Sequence, residues 1–280
     1  MALRMDRLAT LYAAKPLLRH VEPSLRVVPI LMYHSIADDD ETRMHAYYRT
    51  STTPHIFAKH MLYLRDNGYS VLRLEELEQR LGYSRNVDRR VAITFDDGYS
   101  DFYKHAFPVL EKYGFIATVF LPTGFIGKTR QKFNENPCLT WSEIRELATC
   151  GVSFGSHTVT HPQLRDVGLQ SLNEELVVSR STIEHELGMA ITSFSYPFAF
   201  PEHDATFKRL LRERLQLAGY TNGVCTSIGR VAASADRLFY RRLPINSCDD
   251  ESLFEAKLMG AYDWVSKPQA LWKAARGLFC

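Results

Sequence analysis

The 280-residue sequence predicts an α/β protein, a single closed (β/α) barrel of about seven to eight parallel strands. Three observations carry that expectation. Short apolar runs alternate with segments of helical periodicity along nearly the whole chain. Eight such runs follow one another without a linker or low-complexity tract. The chemically distinctive residues His34, Asp96, Asp97, His157 and Tyr196 end or closely follow those runs, where parallel barrels carry their sites. A doubly wound sheet would use the same alternation, but this many strands in one chain favours closure.

Val27 to Tyr33 is a continuous apolar run that reads as a strand buried on both faces. After a polar loop at Asp38-Asp39-Asp40-Glu41, Thr53-Pro54 opens a helix. Phe57, Met61 and Leu64 fall at helical spacing, and Asn67-Gly68 closes the segment. Further strands are expected at 69–72, 91–95, 116–121, 152–155, 192–196, 220–225 and 239–245. Helices are expected near 74–82, 101–113, 140–149, 169–187, 204–218 and 250–263. This divides the chain into an N-terminal arm (1–26), a barrel (27–248) and a C-terminal helix with a basic-aromatic tail (249–280). In that tail Lys267, Lys273 and Arg276 interleave with Trp264, Trp272, Leu278 and Phe279. Two readings stay open for it: weak contact with an anionic membrane surface, or a terminal helix packed on the barrel.

At 45% hydrophobic residues the chain can bury a large core. A formal charge of +2 gives no argument for nucleic acid as a partner. Five cysteines (138, 150, 225, 248 and 280) are odd in number and form no CxxC pair, which speaks against a disulfide framework and for a reducing compartment. The apolar stretch from Leu8 to Ala14 is short and stops at Lys15, so no signal peptide is expected. No segment approaches the ~20 apolar residues of a spanning helix. A cytoplasmic location is expected, peripheral to the inner membrane face if the tail meets lipid.

The chemistry concentrates in Val91-Ala92-Ile93-Thr94-Phe95-Asp96-Asp97-Gly98-Tyr99 and in Gly155-Ser156-His157-Thr158-Val159-Thr160-His161-Pro162. One carboxylate and two imidazoles can hold a divalent metal, which leaves the second carboxylate to act on water. Zinc suits that donor set best, with iron, cobalt or nickel as competitors. Neighbouring strand residues point to opposite faces, so both aspartates reach one site only if the backbone turns there, and Gly98 relaxes it just beyond them. An Asp-Asp-Gly turn alone reads equally well as a solvated loop, and two histidines four apart arise by chance. The four together at successive strand ends favour a ligand set.

Thr94-Phe95-Asp96-Asp97-Gly98-Tyr99 and Ser156-His157-Thr158-Val159-Thr160-His161 resemble the first two signature motifs of the polysaccharide deacetylases, carbohydrate esterase family 4 (the NodB homology domain). The resemblance runs from about Pro29 to Asn246. It implies a distorted (β/α) barrel and a hydrolase that removes acetyl groups from N-acetylated sugars, or sometimes O-acetyl groups. It implies Asp96 as general base, Asp97, His157 and His161 as metal ligands, and the Tyr99 backbone N–H as an oxyanion donor. Two departures stand out. Family members usually carry an Arg-x-Pro-Tyr motif whose arginine orients the base, whereas Phe194-Ser195-Tyr196-Pro197-Phe198-Ala199 holds no arginine, and what orients Asp96 is left open. The general acid usually comes from a Leu-x-His near the C-terminus, and no histidine follows His203.

Both departures resemble the poly-N-acetylglucosamine deacetylase branch, in which a Met-Tyr-His near the N-terminus supplies the acid. Met32-Tyr33-His34 matches it, and Arg241-Arg242-Leu243-Pro244-Ile245 resembles that branch's late strand. A histidine with an ordinary pKa near 6.5 suits the role of acid; a core histidine capping a strand is the alternative for His34. Tyr196, Pro197 and Phe198 read as the wall of a sugar groove or as a plain strand end. His45, His55, His60, His105, His185 and His203 read as surface or structural, and Asp263-Trp264 as packing. The expected function is metal-dependent removal of N-acetyl groups from N-acetylhexosamine units of a saccharide. An O-acetyl esterase and a non-catalytic saccharide-binding domain are the alternatives. A phosphohydrolase is disfavoured because no Gly-rich loop or lysine cluster is placed to hold a phosphate.

Overall fold

Seven strands, all parallel to their neighbours, close into a barrel in a computed structural model that describes residues 4–18, 27–39, 41, 43–83 and 89–277. They are β1 (Ile30–Tyr33), β2 (Arg90–Phe95), β3 (Thr118–Leu121), β4 (Ser153–Ser156), β5 (Ser193–Ser195), β6 (Asn222–Ile228) and β7 (Tyr240–Pro244). They pair in chain order from β1 to β7, and Leu243 opposite Leu31 closes the ring between β7 and β1. The expected strand at 69–72 forms as Ser70–Val71, beside Arg90 and Val91. It lies outside the ring because β2 is already paired with β1 and β3.

The run from Val27 to Tyr33 is not one strand. Val27–Val28 pairs antiparallel with Val231–Ala232, and the barrel strand begins at Ile30. Pro29 separates them because it has no N–H to donate; its carbonyl still accepts from Ala92.

Helices α1 (Pro54–Asp66), α2 (Leu77–Tyr83), α3 (Phe107–Lys112), α4 (Trp141–Thr149), α5 (Leu169–Leu187), α6 (Ala205–Leu217), α7 (Glu251–Met259) and α8 (Ser266–Gly277) intervene or follow. Their limits obey local chemistry. The Thr53 hydroxyl accepts from Ile56 N–H and Pro54 fills the first turn of α1. Thr140 and Glu143 form a reciprocal capping box on α4. Gly188 and Gly260, both with positive φ, end α5 and α7. The segment near 101–113 starts as a π-type turn at Phe102–Ala106 before α3. The expected helix at 250–263 stops at Gly260, and α8 is a separate helix.

Barrel and helices share a core that includes Leu31, Ile93, Val119, Phe57, Leu64, Leu176 and Leu211. Each such side chain contributes about 1.5–3 kcal/mol by burial. The N-terminal helical turns (Met5–Ala9, Thr10–Ala14, Lys15–Leu18) lie against the C-terminal helices through Lys15 with Glu255, Tyr262 with Asp6 and Trp264 with Thr10. Trp264 of the Asp263-Trp264 pair thus ties the two terminal segments together and remains partly exposed. Cys138, Cys150, Cys225 and Cys248 are free.

His60 is structural. Its Nε2–H donates to the Asp249 carbonyl (2.7 Å), which leaves Nδ1 to accept from the Tyr33 hydroxyl (3.1 Å), and its ring stacks on Phe254 at 4.1 Å. Burial holds its pKa down to about 4. A depressed folded-state pKa means stability that is full above the unfolded value near 6.5 and is lost as pH falls toward the folded one. His60 alone is expected to remove on the order of 3 kcal/mol between those limits. Urea midpoints measured across that range should show the loss, and His60→Phe should flatten the slope.

Candidate active site

Asp96 and Asp97 stand where β2 leaves the barrel. Asp96 still belongs to the ladder, its N–H donating to the Tyr33 carbonyl. Asp97 does not: its φ of 70° puts it in the left-handed region, and Gly98 follows at 58°. The turn therefore begins at Asp97 itself and not only at Gly98, and it brings two adjacent carboxylates to one mouth. A side chain at Gly98 would meet Leu121 at 3.0 Å, so glycine is required there for space as well. Thr158, His161 and Phe198 also have positive φ. Such residues cost on the order of 1–3 kcal/mol each and persist where the surroundings over-determine them, commonly at functional sites.

His157 follows β4 and His161 lies one loop turn beyond. Asp97 Oδ1 is 3.5 Å from Nε2 of each, and the two Nε2 atoms are 3.1 Å apart. Ligands on a tetrahedral zinc at ~2.0–2.1 Å would be about 3.3 Å apart, so this donor set fits a small divalent ion. Among the described residues it is the one group of three or more side chains able to hold one. The tautomer agrees: His157 Nδ1–H donates to the Ser195 carbonyl (2.8 Å), which leaves Nε2 with a lone pair toward Asp97. Burial, with the neighbouring His157 adding to it, lowers the His161 pKa to about 4 and keeps that ring neutral, as a ligand must be. Burial also disfavours protonated His157, but Asp96 and Asp97 outweigh it and raise its pKa, so an ion would compete there with a proton.

The residue that orients Asp96 is Arg242, and the sequence reading missed it. Arg242 sits in the barrel interior on β7, fully buried. Nη1 and Nη2 donate to Asp96 Oδ1 and Oδ2 at 2.8 and 2.7 Å. The other N–H groups reach Cys225 O (3.2 Å), Thr94 Oγ1 (3.3 Å) and Ser195 Oγ (3.0 Å). Five donors meet five acceptors. Ser195 Oγ–H in turn donates to Asp96 Oδ1 (3.1 Å), so Ser195 touches the spare carboxylate with its hydroxyl and a metal-ligand candidate with its carbonyl. Burial alone would raise the Asp96 pKa; Arg242, with His157 and His34, overrides it and holds the carboxyl well below the usual range. The available signal was Arg242 between Tyr240 and Leu243 on the inward-facing register of a strand, since a buried guanidinium needs an anion.

His34 follows β1, one-fifth exposed, with Nε2 4.0 Å from Asp96 Oδ2. These groups open into a cavity of about 490 Å³, within the ~300–1,000 Å³ usual for small-ligand sites. Tyr196 and Phe198 line it and Pro197 does not; Tyr196 is buried while Phe198 is half exposed, its ring edge-on to His161 at 4.6 Å. Pro197 is therefore part of the strand end and not of the groove wall. Tyr99 lines the cavity too, and its N–H has no acceptor among the described residues. The far wall comes from segments with no sequence signal: Tyr47 to Thr50, Asn134 and Asn136 from the hairpin between 132 and 137, and Gln269 of α8.

The family model for polysaccharide deacetylase matches residues 84–223. A Bacillus subtilis protein named as a polysaccharide deacetylase, YxkH, is 35% identical over 217 residues, which cover 76% of this chain and 68% of that one. The chain belongs to the polysaccharide deacetylase family. The structure of the Streptococcus pyogenes deacetylase PplD in complex with acetate has a TM-score of 0.71 at 26% identity, covering 83% of this chain and 98% of that one. The poly-β-1,6-N-acetyl-D-glucosamine N-deacetylase of Escherichia coli is 30% identical over 139 residues, 46% of this chain but only 20% of that relative. Within this deacetylase-family chain, the matched segment holds Asp96, Asp97, His157 and His161. The acid candidate His34, just after β1, and Arg242, the partner of Asp96 on β7, lie outside the match on either side. Closure of the barrel brings them together.

Proposed function

We propose that the chain is a metal-dependent N-deacetylase that hydrolyses the acetamide of an N-acetylhexosamine unit in a saccharide. One observation supports this most: Asp97, His157 and His161 form a three-donor cluster, while Asp96 beside them is claimed by Arg242 and stays available as a base. Asp97, His157 and His161 would hold the ion, zinc by donor type, with iron, cobalt or nickel as competitors. When bound, such an ion supplies Lewis-acid activation of water and of the acyl oxygen. Asp96, kept ionised by Arg242, takes the proton of the attacking water. The Tyr99 N–H is the oxyanion donor. His34 then delivers a proton to the departing amine nitrogen, and the products are acetate and a hexosamine. Tyr196 and Phe198 form the aromatic wall beside the sugar ring.

The non-catalytic alternative rested on a base without an orienting arginine, and Arg242 removes that ground. O-acetyl esterase activity remains the second reading, because an ester needs less help from an acid at the leaving group. Acetate release from N-acetylglucosamine oligomers, with acetylated xylan in parallel, separates the two: release from xylan alone refutes the N-deacetylase reading. His34→Ala is expected to lower kcat on the amide substrate by about 10²–10⁴-fold with metal content unchanged, checked by acetate release and elemental analysis. If the chain works in the cytoplasm, a lipid-linked or small saccharide suits it better than an extracellular polymer.

A further inference from the structure

The N-terminal helical turns show solvent their apolar side. Their charged residues are tied up in ion pairs: Arg4 with Asp6 at 2.6 Å, Arg7 with Asp250, and Lys15 with Glu255. Asp6 also accepts from the Tyr262 hydroxyl at 2.9 Å. What faces outward is Met5, Tyr12, Ala13, Pro16 and Leu17, with Tyr12 and Leu17 exposed by 73% and 70%. A surface helix normally presents the reverse.

The C-terminal helix starts close to these turns. Trp264 Nε1–H donates to Thr10 Oγ1 at 3.1 Å, which places the start of α8 beside the N-terminal turns. Trp264, Lys267, Pro268 and Leu271 are exposed, Leu271 by 73%. Single exposed apolar residues are ordinary, but two neighbouring terminal helices that both expose them call for a partner. The charge pattern says which: from Ser266 to Cys280 the sequence carries Lys267, Lys273 and Arg276 and no acidic residue.

We infer that the face formed by the two terminal helices docks on an anionic membrane surface. Tyr12, Leu17 and Leu271 enter the boundary between headgroups and acyl chains, and Lys267 faces acidic headgroups. The contact lies in the plane of the interface, since no helix among the described residues is long and apolar enough to cross a bilayer. A protein partner would accept the apolar side chains equally well, but an acid-free run of cations favours phospholipid. Docking also reaches the cavity. Gln269 of α8 accepts from Ile228 N–H (2.9 Å), donates to Thr226 O (3.1 Å) and lines the cavity, so the docked helix is one of its walls.

Co-sedimentation of the full chain with vesicles tests this without reference to catalysis. The chain is expected to bind phosphatidylcholine vesicles containing phosphatidylglycerol at least about tenfold more tightly than phosphatidylcholine alone, and more weakly as salt is raised. The double substitution Leu17→Ser with Leu271→Ser should weaken binding by at least about tenfold while the thermal midpoint stays unchanged. Lys267→Glu should act on the anionic vesicles only. Absence of vesicle binding, or binding that the double substitution leaves intact, overturns the inference. So does a dimer in sedimentation velocity that the same substitutions dissolve, which would make this face a self-contact.

Discussion

Acetate release should fall by about 10³-fold or more when Asp96 is replaced by asparagine, with the metal content of the protein unchanged. Asparagine fills the same volume but cannot take a proton, and Asp97, His157 and His161, the group able to hold an ion, are untouched. The loss should appear in kcat with little change in KM, because the substituted group acts on water and not on the sugar. Folding should also weaken, since the Arg242 guanidinium loses its buried counter-charge and keeps only neutral acceptors. Acetate assays, elemental analysis and urea denaturation on one preparation check all three. Retained turnover would remove Asp96 from the chemistry.

Arg242→Met should produce the largest loss of stability of any single change at the site, about 3–5 kcal/mol at neutral pH, because it strands a fully buried carboxylate. The pH dependence identifies the cause. In the wild type the folded-state pKa of Asp96 is depressed, so its contribution is present above the unfolded value and is lost as pH falls. Without the guanidinium, burial dominates and raises that pKa, so the penalty is full at neutral pH and shrinks as Asp96 takes up a proton. The gap between variant and wild type should therefore narrow as pH drops from 7 toward 4, and a gap independent of pH would point to lost packing instead. Turnover should fall on the order of 10²-fold or more through misorientation of the base. Arg242→Lys should recover only part of it, because an ammonium cannot grip both carboxylate oxygens.

The barrel was legible where its strands are apolar runs bounded by turn residues: Val91 to Phe95 and Thr118 to Leu121 are buried along their whole length. The metal-binding candidates were legible because two short motifs carry them. Arg242 was not, although it was in view within the late strand. Its partner lies 146 residues away, and the contact exists only because β7 returns to β1 beside β2. Pro29 shows a smaller failure of the same kind: hydropathy joined Val27 to Tyr33, whereas the backbone hydrogen-bond inventory divides them. The cavity's outer wall was invisible because Tyr47, Asn134 and Gln269 come from segments whose sequences record only local turn and helix preferences.

Removing and returning the ion tests the central claim most directly. The purified protein is stripped with a chelator, titrated with zinc, and assayed at each step for bound zinc and for acetate released from an N-acetylglucosamine oligomer. The account requires release to vanish on stripping and to return in proportion to zinc up to one ion per chain, with neither binding nor recovery in a His157→Ala, His161→Ala double variant. Undiminished acetate release from the stripped protein, or full zinc binding by that double variant, would contradict it.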